Sequence, residues 1–433
     1  NNGGDGFVIA RYLTEWNYKC EIYFLGSVDK MTPETKENYL KCQNLNIPII
    51  DTNVELPILD NYHVIIDAIL GIGLQGIVRG FSAEVIKHIN NAQKLSIAID
   101  IPSGVDADSG QAEIAVNCQY TLTMAAIKQG LLIGQGQRVC GEIFIIDIGI
   151  PAELFTKFPP RGKLLTKESV QYPQRNSYFH KGDYGKIGII AGSKGLTGAA
   201  IMASAAALRA GAGLVTLFHQ AGLEQIFECQ LIEVMTKPIQ ADVKEFLKEI
   251  ETQDVLLLGP GIGKSDFMRD IVKAVLINWK KPLVLDADAL NIIAANNWQN
   301  MLDNPQIIIT PHLGEFARLQ NVEIKQIYDN SLAYIDQFIQ KYRCAILLKS
   351  ATTIYADSQN LIFDTSGNDG LATGGSGDVL AGIFISFLGQ KLPIYQAASA
   401  ASFLLGKTAE KLADKRKAAS IIPTDIINEI FKY

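Results

Sequence analysis

The chain has no CxxC pair and no two histidines at HxxxH spacing, although it carries 6 cysteines and 5 histidines. Cys20, Cys42, Cys118, Cys140, Cys229 and Cys344 are dispersed, which excludes a zinc framework of the usual spacing and fits reduced thiols in a cytoplasmic setting. Positive charge is short as well: 39 lysines and arginines face 45 acidic residues, a formal net charge of −6. That balance gives no general attraction to nucleic acid or to anionic lipid, so neither is an expected partner. An anionic ligand would have to be held by local backbone geometry and a few cations. No apolar run reaches the roughly 18 residues needed to span a bilayer. The stretch GAAIMASAAALRAGAGLV is broken by Arg209 and by glycines, and reads as a buried helix. A starting methionine is also lacking. The chain opens NNGGDG and is expected to begin inside a domain.

What is present is apolar bulk and rhythm. Hydrophobic residues make up 48% of the 433 residues and charged ones 19%, which suits large buried sheets and two or three domains. EIYFLG, YHVIIDAILG, LSIAIDIPSG and GEIFIIDIG are strand-length runs that end in glycine or a polar turn, and FSAEVIKHINNAQK has helical spacing. Continuous apolar strands alternating with helices predict a parallel sheet covered on both faces, with ligand groups gathered beyond the strands' carboxyl ends. Asp67, Asp100 and Ser103 stand at such ends. From about Pro151 to Gly185 the pattern gives way to proline, charge and turn residues. It then restarts with KIGIIAGS, GLVTLF, DVLLLGPG, PLVLDADAL, QIIITPH, CAILLKS, TTIYAD and NLIFDTSG. Helices are expected at 198–211, about 322–342, 378–389 and over about 394–432. The expected division is a domain over 1–158, a linker over 159–175 and a second α/β domain over 176–433.

The stretch GNDGLATGGSGDVLAG, Gly367 to Gly382, explains its own glycines if an anion sits there. Backbone N–H groups of Gly374, Gly375, Ser376 and Gly377 can converge on one point because side chains do not block the approach, and the following helix start adds unpaired N–H groups. This is a seat for a transferring phosphoryl group. Asp378 at the first turn reads either as a helix N-cap or as the base that takes the proton of an attacking hydroxyl. On the second reading the helix start would keep the carboxylate ionised.

The loop resembles the signature of the ribokinase-like superfamily. HKGDYGKIGIIAGSKGLTGAAIMASAAALRAGAGLVT, GPGIG, LDADALN, TPHLGEFARL and LLKSATTIY, in that order, resemble the ADP/ATP-dependent NAD(P)H-hydrate dehydratases over about residues 175 to 433. The resemblance implies phosphorylation of the C6 hydroxyl of hydrated nicotinamide, then loss of phosphate to restore NAD(P)H. It implies Asp378 as the activating base, and Lys349, Ser350, Ala351, Thr352 and Thr353 with Gly374, Gly375, Ser376 and Gly377 as the nucleotide site. Gly198, Ala199, Ala200, Gly263, His312 and Asp378 would line the hydrate site, with Asn291 and Glu315 acting through Mg2+ or water. Ser350 departs from the glycine usual at its place. Without the resemblance, His312 also reads as a buried, hydrogen-bonded histidine after a strand.

In the first domain, NNGGDG repeats the glycine logic, IIDAILGIGLQG puts Asp67 before a glycine-rich loop, AIDIPSGVDADSG carries Asp100 and Ser103, and AAIKQGLLIG supplies Lys128. Locally, NNGGDG is also an ordinary turn into a helix, and Asp100 a strand-end cap. Together these motifs resemble the NAD(P)HX epimerase domain, a Rossmann-like three-layer α/β/α fold of the YjeF N-terminal type, without that family's first helices. The resemblance implies that Asn1, Asn2, Gly3, Gly4 and Asp5, the loop Gly71, Ile72, Gly73, Leu74, Gln75, Gly76 and Ile77, and Asp100 hold the substrate. It further implies K+ on Asn2, Asp67 and Ser103. Asp100 with Lys128 is the expected acid–base pair at C6.

The function expected is therefore a bifunctional repair enzyme, a lyase and isomerase acting on NADHX and NADPHX with ADP or ATP as phosphoryl donor, and a homo-oligomer. The alternative is a ribokinase-like small-molecule kinase whose first domain is a non-catalytic dimerisation or scaffold module.

Overall fold

The computed structural model describes residues 2–52, 55–74, 76–240 and 242–432. It divides into two compact units, Asn1–Pro160 with Tyr328–Ser331, and Arg161–Ile327 with Leu332–Tyr433.

In the first unit, β1 (Ile22–Phe24) and β2 (Ile49–Asp51) form a parallel pair. The strands β3 (Val64–Asp67), β4 (Leu95–Ile99), β5 (Tyr120–Met124) and β6 (Glu142–Ile146) form a four-stranded parallel sheet in the order β3-β4-β5-β6. The sequence pattern passed over β5 because YTLTM carries threonines where a buried strand usually carries aliphatics. Thr121 and Thr123 are nonetheless fully buried, and the Thr121 hydroxyl donates to the Cys140 carbonyl at 2.6 Å, which removes the cost of burying it. The NNGGDG motif does not precede its helix as a turn: the helix already runs Asn2–Glu15. FSAEVIKHINNAQK forms the helix Phe81–Ala92, whose Val85, Ile86 and Ile89 pack into the core, as its spacing predicts.

In the second unit, β7 (Lys163–Leu164), β8 (Lys186–Ile190), β9 (Leu214–Gln220), β10 (Met235–Ile239), β11 (Val255–Leu258), β12 (Leu283–Leu285), β13 (Ile307–Ile309), β14 (Ala345–Leu348), β15 (Thr353–Ala356) and β16 (Leu361–Asp364) form a ten-stranded sheet. Its order is β10-β9-β8-β11-β12-β13-β14-β15-β16-β7. Pairing is parallel from β10 through β14, and the hairpin β14-β15-β16 is antiparallel. The strand order reverses between β8 and β11, the switch point at which open α/β sheets place ligands. The pattern missed β10, which contains Pro238; an edge position tolerates the missing N–H. It also missed β7, which lies in the segment 159–175 expected as a linker and pairs with β16.

Two helices cover the middle of this sheet. Met202 lies against Gly375 and the Ala210 carbonyl accepts from Gln390, so Thr197–Arg209 and Ser376–Gly389 run parallel, with both N-termini at the same end. Ala203 and Ala206 face Gly382, where a Cβ would stand 2.2 Å from the Ala203 carbonyl oxygen. Small residues thus let the helices touch, and the glycine loop and the AGSKGLTG loop open side by side. The region expected as one helix over 322–342 is two, Ile324–Asp329 and Ser331–Tyr342. The region 394–432 is Ile394–Ala413 and then Pro423–Glu429, with Pro423 restarting the helix. Among the described residues no helix is long and apolar enough to cross a membrane.

Candidate active sites

The carboxyl ends of β8, β11, β12, β13 and β14 deliver the side chains of the second unit's site. Asp286 directly follows β12 and is buried, and the next residue, Ala287, has φ +48°. A left-handed alanine is strained, and such outliers persist where the surroundings hold a functional residue in place. Gly259, at the end of β11 with φ +136°, allows this turn: a Cβ there would lie 1.8 Å from the Asp286 carbonyl oxygen. Lys349, following β14, places Nζ 2.7 Å from Asp286 Oδ1. Burial alone would favour the neutral amine, but the carboxylates of Asp286 and Glu315, the hydrogen bond to Asp286 and the Asp378 carboxylate hold the Lys349 pKa above its ordinary value. A Cβ on Gly377 would be 3.4 Å from the same Nζ, so the ammonium stands at the start of the helix Ser376–Gly389.

Asp378 is not the N-cap of that helix. The cap is Gly375, left-handed at φ 103°, and no side chain bonds there. Nor does the helix start keep the carboxyl ionised. Its pKa is pushed up to about 7, first by burial and then by the negative charges of Asp286, Asp288 and Glu315, which Lys349 only partly offsets. The N-terminal partial charge falls short because the carboxyl is buried and three further carboxylates stand near it against one lysine. Asp378 makes no hydrogen bond among the described residues, so both oxygens are free.

His312 is exposed, contrary to the buried alternative, and caps the helix Leu313–Gln320. Its Nδ1 accepts from the N–H groups of Gly314 (3.0 Å) and Glu315 (3.3 Å), while the Glu315 carboxylate accepts from the His312 N–H at 2.9 Å. Accepting at Nδ1 puts the neutral ring's proton on Nε2. Partial burial pushes the His312 pKa down, against the pull of Glu315, so the ring is a hydrogen-bond donor rather than a cation. Gly263 donates its N–H to Asp288 Oδ2 at 3.0 Å, and a Cβ on it would lie 3.2 Å from Ser193 Oγ, which joins the β8 and β11 loops at the switch point. Ala199 is half-buried and Gly198 exposed at the start of Thr197–Arg209. Ala200 is a correction: it is fully buried beneath Gly192, and its methyl group belongs to the core rather than to the cleft.

Of the nucleotide residues, Lys349 to Thr353 form the β14-β15 turn and Gly374 to Gly377 the opposite helix start. Ser350, exposed, turns its hydroxyl back on its own loop and donates to the Thr352 carbonyl, so the extra hydroxymethyl is tied down. Ala351 is exposed and Thr353 half-buried. The hydroxyls of Thr352 and Ser376 are buried without a hydrogen-bond partner, two polar groups for which a ligand would be the natural complement. Gly374 has no atom within 4 Å of where a Cβ would be, which is open space. Sequence reasoning gave Asp286 and Asp288 no role, although both lie in the quoted LDADALN. Their place directly after an apolar strand was the signal.

In the first unit, the ends of β3, β4 and β5 bring together the predicted residues. Asp67 is fully buried; it accepts from the Ser103 hydroxyl at 2.5 Å, the Ser103 N–H at 2.7 Å and the Ile69 N–H at 3.3 Å, yet burial still pushes its pKa up to about 6. The Asn2 amide donates to the Leu70 carbonyl at 2.8 Å, the Leu70 N–H donates to Ser103 Oγ at 2.8 Å, and Asn2 Oδ1 is buried without a partner. Asn2, Asp67 and Ser103 therefore form one oxygen-rich cluster. Asp100, just past β4, has φ +68° and pairs with Lys128; its Oδ1 also accepts from the Met124 N–H at 3.0 Å. Lys128 Nζ further donates to the Met124 carbonyl (2.8 Å) and Thr123 Oγ1 (3.2 Å), so the pair is fixed from three sides. Partial burial, with the Asp100 charge nearby, raises the Asp5 pKa, which places Asp5 of the first helix at the same site. Gly3 and Gly4 are half-buried. Ile72, Gly73, Gly76 and Ile77 are exposed on the loop after β3, where Gly71 touches Asn2 and Leu74 closes a turn onto Gly71. Asn1 and Gln75 lie outside the described residues.

A glycine-rich helix start facing a lysine–carboxylate pair and an uncommitted carboxyl, all at the switch point of one sheet, is the layout of the ribokinase-like α/β class. Solved structures agree. A ribokinase-like superfamily protein from Enterococcus faecalis V583 has a TM-score of 0.56 and 29% identity, covering 62% of this chain and 93% of its own. An ADP/ATP-dependent NAD(P)H-hydrate dehydratase from Bacillus subtilis, co-crystallised with ATP/Mg2+, has a TM-score of 0.54 and 26% identity, covering 63% and 98%. The family described as NAD(P)H-hydrate dehydratase matches residues 187–432, and that described as YjeF-related protein N-terminus matches residues 1–130. Relatives named bifunctional NAD(P)H-hydrate repair enzyme Nnr align along nearly all of this chain: the one from Moorella thermoacetica is 32% identical over 99% of this chain and 84% of its own length, and that from Coxiella burnetii 34% identical over 98% and 86%. The chain belongs to the family of bifunctional NAD(P)H-hydrate repair enzymes. The alternative of a kinase with a silent first domain is set aside by the same alignments.

Proposed function

We propose that the second unit dehydrates the S epimer of NADHX and NADPHX using ADP or ATP, and that the first unit interconverts the R and S epimers. The observation that carries the first half is Asp378: a carboxyl with a pKa near 7, free of hydrogen bonds, at the start of a glycine-rich helix beside Lys349.

The chemistry follows from that placement. The C6 hydroxyl of the hydrate attacks the terminal phosphorus of the nucleotide, its proton passes to Asp378 as the new oxygen–phosphorus bond forms, and the bond from that phosphorus to the bridging oxygen breaks, releasing AMP from ADP or ADP from ATP. The N–H groups around Gly374 to Gly377 and the Lys349 ammonium hold the equatorial oxygens, whose charge grows in the transition state. The phosphate ester then leaves C6 with the bonding electrons, pushed by the ring nitrogen's lone pair, and loss of a proton from C5 restores the dihydronicotinamide. His312 offers Nε2–H to the substrate's oxygen atoms, and Gly263 and Ala199 give a flat ring room to approach. Mg2+ brought in with the nucleotide would supply positive charge to the phosphates; among the described residues Asp286, Asp288 and Glu315 do not gather into a ligand set of their own.

In the first unit, Asp100 and Lys128 are the groups placed to move a proton at C6. The buried, unpaired Asn2 Oδ1, the Asp67 carboxylate and the Ser103 hydroxyl are all oxygen donors, the set a hard monovalent cation such as K+ accepts. The cation would supply charge toward the substrate's phosphates. A homo-oligomer remains part of the proposal.

The test is to incubate the purified chain with mixed R and S hydrates, Mg2+ and either ADP or ATP, and to follow NADH absorbance. Full recovery requires both activities, half recovery only the dehydratase, and no recovery removes the reading.

A further inference from the structure

A polar cleft of about 940 Å³ lies in the second unit, lined by residues that the proposed chemistry does not use. Its floor is the helix Ala287–Ala295, and its rim carries Lys264, Arg269 and Arg318. The same lining carries two carboxylates, Asp266 and Glu323, so three cations face two acids. Arg269 is committed to Asp266 at 2.6 Å and to Asp270 at 3.5 Å. Lys264 is exposed and makes no ion pair among the described residues. Arg318 gives only its Nε to the Asn291 side-chain oxygen, at 2.9 Å, and its two terminal nitrogens have no acceptor among the described residues.

The cleft and the reaction centre share a loop and a helix. Lys264 follows Gly263, whose N–H is held by Asp288, and Asp288, Asn291 and Ala295 share one face of their helix at intervals of three and four residues. From Asp288 to Ala295 that helix advances about 10 Å, so a ligand anchored at Asp288 and laid along it ends among Ala294, Ala295 and Asn296. Alanines there leave the floor open, while Lys264 and Arg318 flank it.

We infer that this cleft receives the diphosphate–adenosine half of the hydrated dinucleotide, with Lys264 and Arg318 on the diphosphate. The inference rests on the dehydratase reading and deepens it: the enzyme recognises its substrate by the end that does not react, and uses that binding to present C6 to Asp378. Because the diphosphate is common to both dinucleotides, the cleft treats NADHX and NADPHX alike.

The experiment compares the wild type with Lys264→Ala, Lys264→Glu and Arg318→Gln on three substrates: NADHX, NADPHX and the hydrate of reduced nicotinamide mononucleotide, which lacks the far half. The loss expected for Lys264→Ala is a rise of about tenfold in KM for both dinucleotide hydrates, the worth of one charge-assisted contact. Lys264→Glu should do more, the KM for ADP should not move, and the mononucleotide hydrate should be used equally well by wild type and variants. Unchanged KM values, an equal loss on the mononucleotide, or a rise in KM for ADP would each overturn the inference. A loss confined to NADPHX would also overturn it, by assigning the cations to the 2′-phosphate. Calorimetric titration with ADP-ribose, with the nucleotide site saturated by ADP, reads the cleft without catalysis. Weaker binding to Lys264→Glu supports the inference and equal binding sinks it, even if the wild type proves unable to regenerate NADH and the dehydratase reading fails.

Discussion

The Lys349 ammonium sits 2.7 Å from the Asp286 carboxylate, and both groups lie almost out of solvent beneath the start of the helix Ser376–Gly389. Each neutralises the other's burial, and the lysine is left facing the helix N-terminus, where a phosphate would complete its coordination. Removing one partner strands the other. Lys349→Met should lower stability by about 3–5 kcal/mol, the usual cost of an uncompensated buried charge. Lys349→Met with Asp286→Asn should regain most of it without regaining activity. Urea melts of the single and double variants check this; equal stability of single and wild type would mean the pair is solvated.

With its pKa near 7, Asp378 is half protonated at neutral pH, and only the ionised form accepts a proton. The value of kcat/KM for the hydrate should therefore rise with pH and level off above about 7. Asp378→Asn should lower kcat by about 10²–10⁴-fold and leave nucleotide binding in place. Stability runs the other way. The folded pKa exceeds the ordinary aspartate value of 3.8, so the folded state binds the proton more tightly, and stability present below about pH 4 is lost as pH rises to about 7. At pH 8 the asparagine variant should thus be more stable than the wild type, by roughly 1–2 kcal/mol; near pH 4 the two should melt together.

Asp100 lies in the left-handed region at φ +68°, which asparagine also tolerates and alanine does not. Asp100→Asn should keep the fold and the pairing position, yet lower R-to-S conversion by about 10²–10⁴-fold while S-hydrate dehydration continues. Supplying pure R and pure S hydrates separates the two steps. If R-hydrate turnover survives, proton transfer belongs to another group.

Gly374 offers a cleaner probe of the nucleotide cradle than its neighbours. No atom lies within 4 Å of a Cβ built there, so Gly374→Ala should melt like the wild type. If the phosphates lie against this backbone, a methyl group there would still hold them away, and KM for ADP or ATP should rise about tenfold or more. An unchanged nucleotide KM would place the phosphates elsewhere.

Asn2→Ala deletes the buried, unpaired oxygen beside Asp67 and Ser103. If K+ is held there, exchanging K+ for a larger organic cation should slow the wild type's epimerisation and leave its dehydration unchanged, and the variant should no longer respond to the exchange.

Much of this was legible in the residues. Long aliphatic strands such as VLLL and AILL announced themselves, because a parallel sheet buried on both faces needs little else. The strand Tyr120–Met124 did not, since its threonines bury their hydroxyls only by finding carbonyls elsewhere in the fold. Lys349 and Asp378 were readable from their motifs. The charge state of Asp378 was not: it is set first by burial and then by Asp286, Asp288 and Glu315, which are remote from Asp378 in the chain and meet it only in three dimensions. The Ala200 side chain is core for a different reason: one residue, about 100° of helix rotation, separates it from half-buried Ala199.

The short strand Lys163–Leu164 has a practical bearing. It closes the outer margin of the ten-stranded sheet by covering β16. A protein chemist who isolates the dehydratase half by cutting after residue 165 would bare the backbone of β16 along that margin and invite copies to zip together there. A cut placed ahead of Arg161 keeps the seam sewn.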